Sequence, residues 1–169
     1  LNGMTSHIVP LAASHFTPLH AVLDAVAREK RFLAMTQAPP AEETMVFFRQ
    51  ILEDDRPHFV ALLDGAVVGW CDVLPVFGQA RAHIGVLGIG LLPSARHRGL
   101  GRQLMASAIE KAWLQGLTRI ELTVRADNPN ARALYERLGF EHEGLQRNGF
   151  RVDGEYIDGH AMALLRYAG

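Results

Sequence analysis

Apolar and polar residues follow two different rhythms along this chain, and the switches between them mark out its elements. Residues 7–11 are a short apolar run that reads as a first strand. Over residues 16–31, Leu19, Val22, Leu23 and Val26 recur at helical spacing on one face, which predicts a helix. A Pro/Ala-rich break at 38–41 precedes a second helix over about 42–54. Residues 58–63 and 66–74 read as strands joined by Asp64-Gly65, a two-residue hairpin turn. Residues 84–92 predict another strand, with three glycines (Gly85, Gly88, Gly90) that mark a bulge or a close approach by a ligand. Residues 99–116 predict a helix with Leu100, Leu104, Ala108 and Ala112 along one stripe. Ile120, Leu122 and Val124 alternate through a half-buried strand, 119–124. After a helix between Asn128 and Gly139 come an extended segment at 140–150, the Asp153-Gly154 turn and a last strand, 155–165.

The order β-α-α-β-β-β-α-β-α-β-β implies an α/β (α+β) fold, a mixed central sheet with helices on both faces. The chain has 169 residues, nearly half of them apolar, which is enough for one domain around a single core; we place it at 5–166. Leu1-Asn2-Gly3 ahead of Met4 reads as a remnant. A net charge of −1 argues against a nucleic-acid partner. No apolar stretch approaches the roughly 20 residues that span a membrane, so no membrane partner is expected. The single cysteine, Cys71, allows no intramolecular disulfide and fits a reducing, cytoplasmic location. It lies in an apolar run, as a small core residue would. No metal site is expected.

Arg96-His97-Arg98-Gly99-Leu100-Gly101 follows the strand at 84–92 and opens a helix. Glycines let the backbone approach a ligand and tolerate positive φ. The first amides of a helix lack intrahelical partners and face an anion with the favourable end of the dipole. With Arg102, this is a cradle suited to a diphosphate. It is not a Walker loop, since no Gly-Lys-Ser/Thr follows. A second signal runs from Asn128 to Phe140: Asn128 suits an N-cap, Pro129 the first helical position and Gly139 the stop. Ala131, Leu134, Tyr135 and Leu138 form its apolar face. Tyr135 read by itself is a core aromatic whose hydroxyl finds a partner.

In these two segments the chain resembles the GNAT superfamily of acyl-CoA-dependent N-acetyltransferases. The family's Q/R-x-x-G-x-G/A loop matches Arg96–Gly101, and its N-x-x-A-x-x-x-Y-x-x-x-G-F helix matches Asn128–Phe140. The resemblance implies a sheet with a splayed central strand pair, acetyl-CoA as co-substrate, and the coenzyme pyrophosphate on the amides of Arg96, His97, Arg98, Gly99, Leu100 and Gly101, with Arg102 beside them. It places Ile89, Gly90 and Leu91 along the pantetheine arm, together with Asn128. It makes Tyr135 the acid that protonates the leaving thiolate. A homodimer is the assembly it implies, with Trp70 and Trp113 serving either an interface or the core. Residues 119–124 and the tail from Gly144 to Met162 look closest to the branch acting on free amino acids and other small amines.

The chemistry needs an unprotonated amine, donors for the developing oxyanion and a proton for the leaving sulfur. Tyrosine, with a reference pKa near 10, suits the last task. Many family members carry a Glu on the strand before the loop, but residues 84–92 contain no carboxylate. The candidate bases are His83, which opens that strand, and Asp72 on the preceding one; Glu29, Glu42 and Glu43 flank the helix junction and read as solvated faces. Near pH 7.5 a Lys-like amine (pKa about 10.4) is only about 0.1% neutral, whereas an α-amine near 7.8 is roughly a third neutral. The missing strand carboxylate therefore tilts the acceptor toward low-pKa amines. The expected activity is acetyl transfer to a primary amine of a small molecule, an amino acid or related amine, by direct attack in a ternary complex. The alternatives are a peptide N-terminal or polyamine acetyltransferase, or a catalytically silent CoA-binding module.

Overall fold

A computed structural model describes residues 3–167; Leu1 and Asn2, read above as part of a remnant, lie outside the described residues. The elements follow in the expected order: β1 (Ser6–Pro10), α1 (Phe16–Arg28), α2 (Ala41–Glu53), β2 (His58–Leu63), β3 (Ala66–Pro75), β4 (Ile84–Leu91), α3 (Leu100–Leu114), β5 (Arg119–Arg125), α4 (Pro129–Arg137), β6 (Glu141–Val152) and β7 (Glu155–Leu165). The seven strands form one sheet in the order β1-β2-β3-β4-β5-β7-β6. Only β4 and β5 run parallel, as expected for strands joined through a helix.

Each face of the sheet carries its own core. Leu19, Val22, Leu23 and Val26 of α1 and Phe48 and Ile51 of α2 pack with Val60, Val67 and Trp70 on one side. Leu100, Leu104, Met105, Ala108 and Ala112 of α3 pack with Cys71, Val73, Leu87, Ile120 and Leu122 on the other. Trp70 is thus a core residue, and Trp113 is half-buried against the second cluster. No helix among the described residues is long and apolar enough to cross a membrane.

Two departures from the expected boundaries bear on function. The first helix stops at Arg28, not Arg31, because Lys30 adopts a left-handed conformation (φ 56°) and turns the chain away. The second lies in the hairpin. Asp64 and Gly65 both have positive φ (49° and 82°), as a tight two-residue turn requires. The register then slips: Leu62 faces Val67 but Ala61 faces Gly69, leaving Val68 as an extra residue on β3. That bulge sets His58 opposite Asp72.

The sheet is split at its centre. β4 pairs with β5 only from Ile84 to Val86, although it stays paired with β3 to Leu91, and β5 stays paired with β7 to Arg125. From Leu87 onward the β4 edge that faces β5 has no strand partner. The residues after α1 reach both halves. Glu29 holds Arg96 beyond β4, with Nη1 donating to Oε1 at 2.9 Å. The Lys30 carbonyl accepts from Arg125 Nη1, at the end of β5, at 2.7 Å. Arg125 is buried, and its other contacts are a two-pronged pair with Asp127 at 2.9 and 2.7 Å. Each nitrogen of this buried cation thus has an acceptor, which is the condition for tolerating it.

Candidate active site

A pocket of about 470 Å³ opens at the split. Its floor is Leu87–Ile89 of β4, its walls include Leu19, Leu23, Phe47, Phe48 and Trp70, and Phe32–Met35 of the α1–α2 connection cover it. Three titratable side chains line it: His58, Asp72 and Tyr135. No Lys or Arg is among the lining residues.

Asp72 sits in the middle of β3, paired with Gly88 of β4 on one side and His58 of β2 on the other. A side chain on Gly88 would crowd it, since a Cβ there would stand 3.1 Å from Asp72 Oδ1. Glycine at 88 therefore makes room for a carboxylate that projects from the next strand over. Gly90 does the same for Trp70, whose ring would lie 2.3 Å from a Cβ. The close approach read from these two glycines is that of neighbouring side chains. Burial pushes the Asp72 carboxyl up to about 7, with the Gly88 amide acting weakly in the opposite direction. Burial also pushes His58 down to about 3.

Tyr135 reaches the pocket from α4, with its ring 6.1 Å from that of Phe140. Burial raises its hydroxyl well above the ordinary tyrosine value, so it stays protonated through the working range. Asn128 begins α4 as its N-cap, its Oδ1 accepting from the Ala131 amide at 3.3 Å. Ile89 lines the pocket, and Gly90 and Leu91 continue the unpaired edge.

The loop after β4 has the backbone an anion cradle needs. His97 and Gly99 both take positive φ (61° and 79°), and α3 starts with no side-chain cap. Gly99, Leu100, Gly101 and Arg102 therefore carry the amides at that helix start. Arg98 and Arg102 are exposed beside them, with Arg98 Nε donating to the Ser94 carbonyl. Arg96 is oriented differently from what its place in the motif suggests. Its guanidinium pairs with Glu29, stacks 4.4 Å over the Phe32 ring and donates through Nε to the Leu91 carbonyl. It braces the pocket cover against the loop, so only its backbone is left for an anion.

His83 is the candidate the fold separates from the others. It lies exposed just before β4, and its carbonyl accepts from Thr118 and Arg119. Five residues of extended chain, roughly 16 Å, separate it from Gly88. Glu42 and Glu43 are exposed on the first turn of α2. His58 carries no local sequence signal; the bulge at Val68 is what places it opposite Asp72.

The family model for the acetyltransferase (GNAT) family matches residues 19–140. The chain belongs to the GNAT acetyltransferase family. The L-amino acid N-acetyltransferase AaaT of Escherichia coli (strain K12) is 37% identical over 117 residues, 66% of this chain and 72% of that protein. The N-alpha-acetyltransferase RimI of Mycobacterium tuberculosis is 30% identical over 152 residues, 89% of this chain and 91% of that one. A GNAT-family acetyltransferase from Streptococcus pneumoniae superposes with a TM-score of 0.89 at 28% identity, covering 96% of this chain and 100% of that chain. The Salmonella typhimurium yncA structure, solved with its cofactor acetyl-CoA, shares the fold at a TM-score of 0.89 and 15% identity, covering 95% and 93%. The mixed, centrally split sheet of this GNAT acetyltransferase is therefore the fold its two motifs announced.

Proposed function

We propose that this acetyltransferase moves the acetyl group of acetyl-CoA onto the primary amine of a small molecule, an amino acid or related amine with an apolar body, by direct attack with both substrates bound. One observation carries the reading: a carboxyl group brought near pH 7 and a protonated tyrosine line the same pocket at the split. The chain's residues suit the coenzyme. The uncapped start of α3 and the left-handed backbone at His97 and Gly99 suit a pyrophosphate, and the unpaired β4 edge suits an amide-bearing arm. Acetyl-CoA supplies the activated acetyl group as a thioester.

Asp72, as carboxylate, takes a proton from the incoming ammonium and leaves its nitrogen lone pair free. A base poised near neutrality matches that task, and it comes from β3 where many family members use β4. Tyr135 keeps its proton until the departing sulfur needs one. Backbone amides on the unpaired edge of β4 are the donors available to the acetyl carbonyl. The walls recognise an apolar body, and a charged head deep in this pocket would find no Lys or Arg beside it.

The test follows CoA release from acetyl-CoA with a thiol reagent, across free amino acids, apolar amines, polyamines, aminoglycosides and short peptides. Release with amino acids or apolar amines supports the reading. The similarity to RimI over most of both chains favours one second reading, a polypeptide N-terminus, which predicts release with peptides alone. Silence across the panel with coenzyme binding intact would overturn both.

A further inference from the structure

We infer that His58 is the positioning residue of the base: its Nδ1–H faces Asp72 Oδ2 and holds that carboxylate oriented and ionised inside an otherwise apolar wall. This rests on the reading of Asp72 as the base. The imidazole is buried, its side chain 2% exposed, and neither ring nitrogen has a hydrogen-bond partner among the described residues. A buried donor without a partner costs about 1–3 kcal/mol, so an orphan imidazole beside a carboxyl group calls for a reason. Nδ1 stands 3.5 Å from Asp72 Oδ2, just outside a good hydrogen bond. A shift of a few tenths of an ångström closes it, as catalytic contacts do when substrate arrives.

While Asp72 is ionised, its charge fixes the tautomer. With the proton on Nε2, the Nδ1 lone pair would face the carboxylate's lone pairs. With the proton on Nδ1, the ring donates and Nε2 keeps its lone pair. The ring is fixed edge-on to Phe48, with centroids 6.0 Å apart at 86°. The elements around the pair bring few competing charges. α1 and α2 present Leu19, Leu23, Phe47 and Phe48 to the pocket, β4 presents Gly88, and α4 presents Tyr135. Cys71 neighbours Asp72 on β3, its side chain in the core on the sheet's other face, and burial keeps its thiol protonated. Among the described residues, His58 is thus the only side-chain donor paired with Asp72 across the strands.

A hydrogen bond to the charged form favours that form, so losing it raises the working pKa of Asp72. In His58→Phe the acid limb of kcat/KM should move up by about one pH unit, lowering the rate at pH 6 about tenfold and recovering it above pH 9. His58→Asn, whose side-chain amide can donate from nearly the same place, should restore the limb. A purely structural role predicts lower rates at every pH with no shift. That result, or an Asn variant as shifted as Phe, would overturn the inference. Two measurements remain decisive if the Phe variant does not fold. At pH 9, where Asp72 is ionised, imidazole nitrogen chemical shifts should show His58 protonated on Nδ1; an Nε2–H ring would overturn the inference. The carboxyl carbon of Asp72 should titrate at the same pH in wild type and His58→Asn, and at a higher pH in His58→Ala; an Ala variant that titrates like wild type would overturn the inference. Full turnover in Asp72→Asn would instead remove the base assignment while leaving these two readouts interpretable.

Discussion

Replacing Asp72 by Asn separates the cost of burying its charge from its use. The folded protein raises this carboxyl from 3.8 to about 7 through burial. At 1.36 kcal/mol per pH unit, the shift corresponds to about 4 kcal/mol of preference for the neutral form. A raised acid pKa contributes stability that is fully present below the unfolded value and lost as pH rises through the folded one. Wild type therefore bears the full cost above pH 7, and the Asn variant does not. The variant should be more stable by up to about 4 kcal/mol at pH 8, a gain of roughly 8–16 °C in Tm for a chain of this size. The advantage should decline below pH 7 and vanish by about pH 4. His58 titrates in the opposite sense: pushed down to about 3, it favours the folded state above 6.5 and penalises it as pH falls toward 3. His58 is present in both proteins, so the difference between their melting curves reports Asp72 together with its contact to His58. Turnover in the same variant should fall about 10²–10⁴-fold, the ordinary worth of a general base. Paired thermal melts from pH 4 to 9, with CoA release measured alongside, give both numbers. A melting difference independent of pH, or an Asn variant less stable at pH 8, would mean that Asp72 is solvated or firmly paired, and the account of its pKa would be wrong.

Tyr135→Phe should lower kcat at least about tenfold with little change in the acetyl-CoA dissociation constant, measured by steady-state kinetics and calorimetry. Because burial holds the Tyr135 hydroxyl well above its ordinary value, wild-type kcat should show no alkaline fall up to pH 9.5. Gly99→Val, at φ 79°, should weaken acetyl-CoA binding by straining the loop; an unaltered dissociation constant would misplace the pyrophosphate. Gly90→Val should cost about 1–3 kcal/mol in denaturant melts, because its Cβ meets the Trp70 ring.

Much of the fold was legible because its signals are local. Helical periodicity in α1 and α3, the Asp64-Gly65 turn, and the cap and stop of α4 each lie within a short stretch of chain. The two motifs were legible for the same reason, since one loop and one helix start carry them. Arg96 shows the limit of such reading. Its place in the motif predicts an anion contact, but its side-chain partners Glu29 and Phe32 come from the far end of α1, brought close by the early stop of that helix at Arg28.

The proposed base, Asp72, illustrates the same limit at a distance of one residue. A two-residue hairpin without irregularity would pair Leu63 with Ala66 and, counting back, His58 with Cys71. The extra residue at Val68 moves the pairing by one, so that His58 meets Asp72. Because strand side chains alternate between faces, that single slip decides which residues share a row. The resulting row, His58–Asp72–Gly88, crosses three strands and ends on β4 just past Val86, where its edge has already lost β5. Glycine at 88 follows from this arrangement: a larger residue would displace the carboxylate from the place it occupies beside β4. On the proposed reading, the missing β4 carboxylate and the glycine at 88 have one cause, a base supplied from β3. If Asp72 is that base, as proposed, the apolar walls are a stronger guide to the acceptor than the absence of a carboxylate on β4.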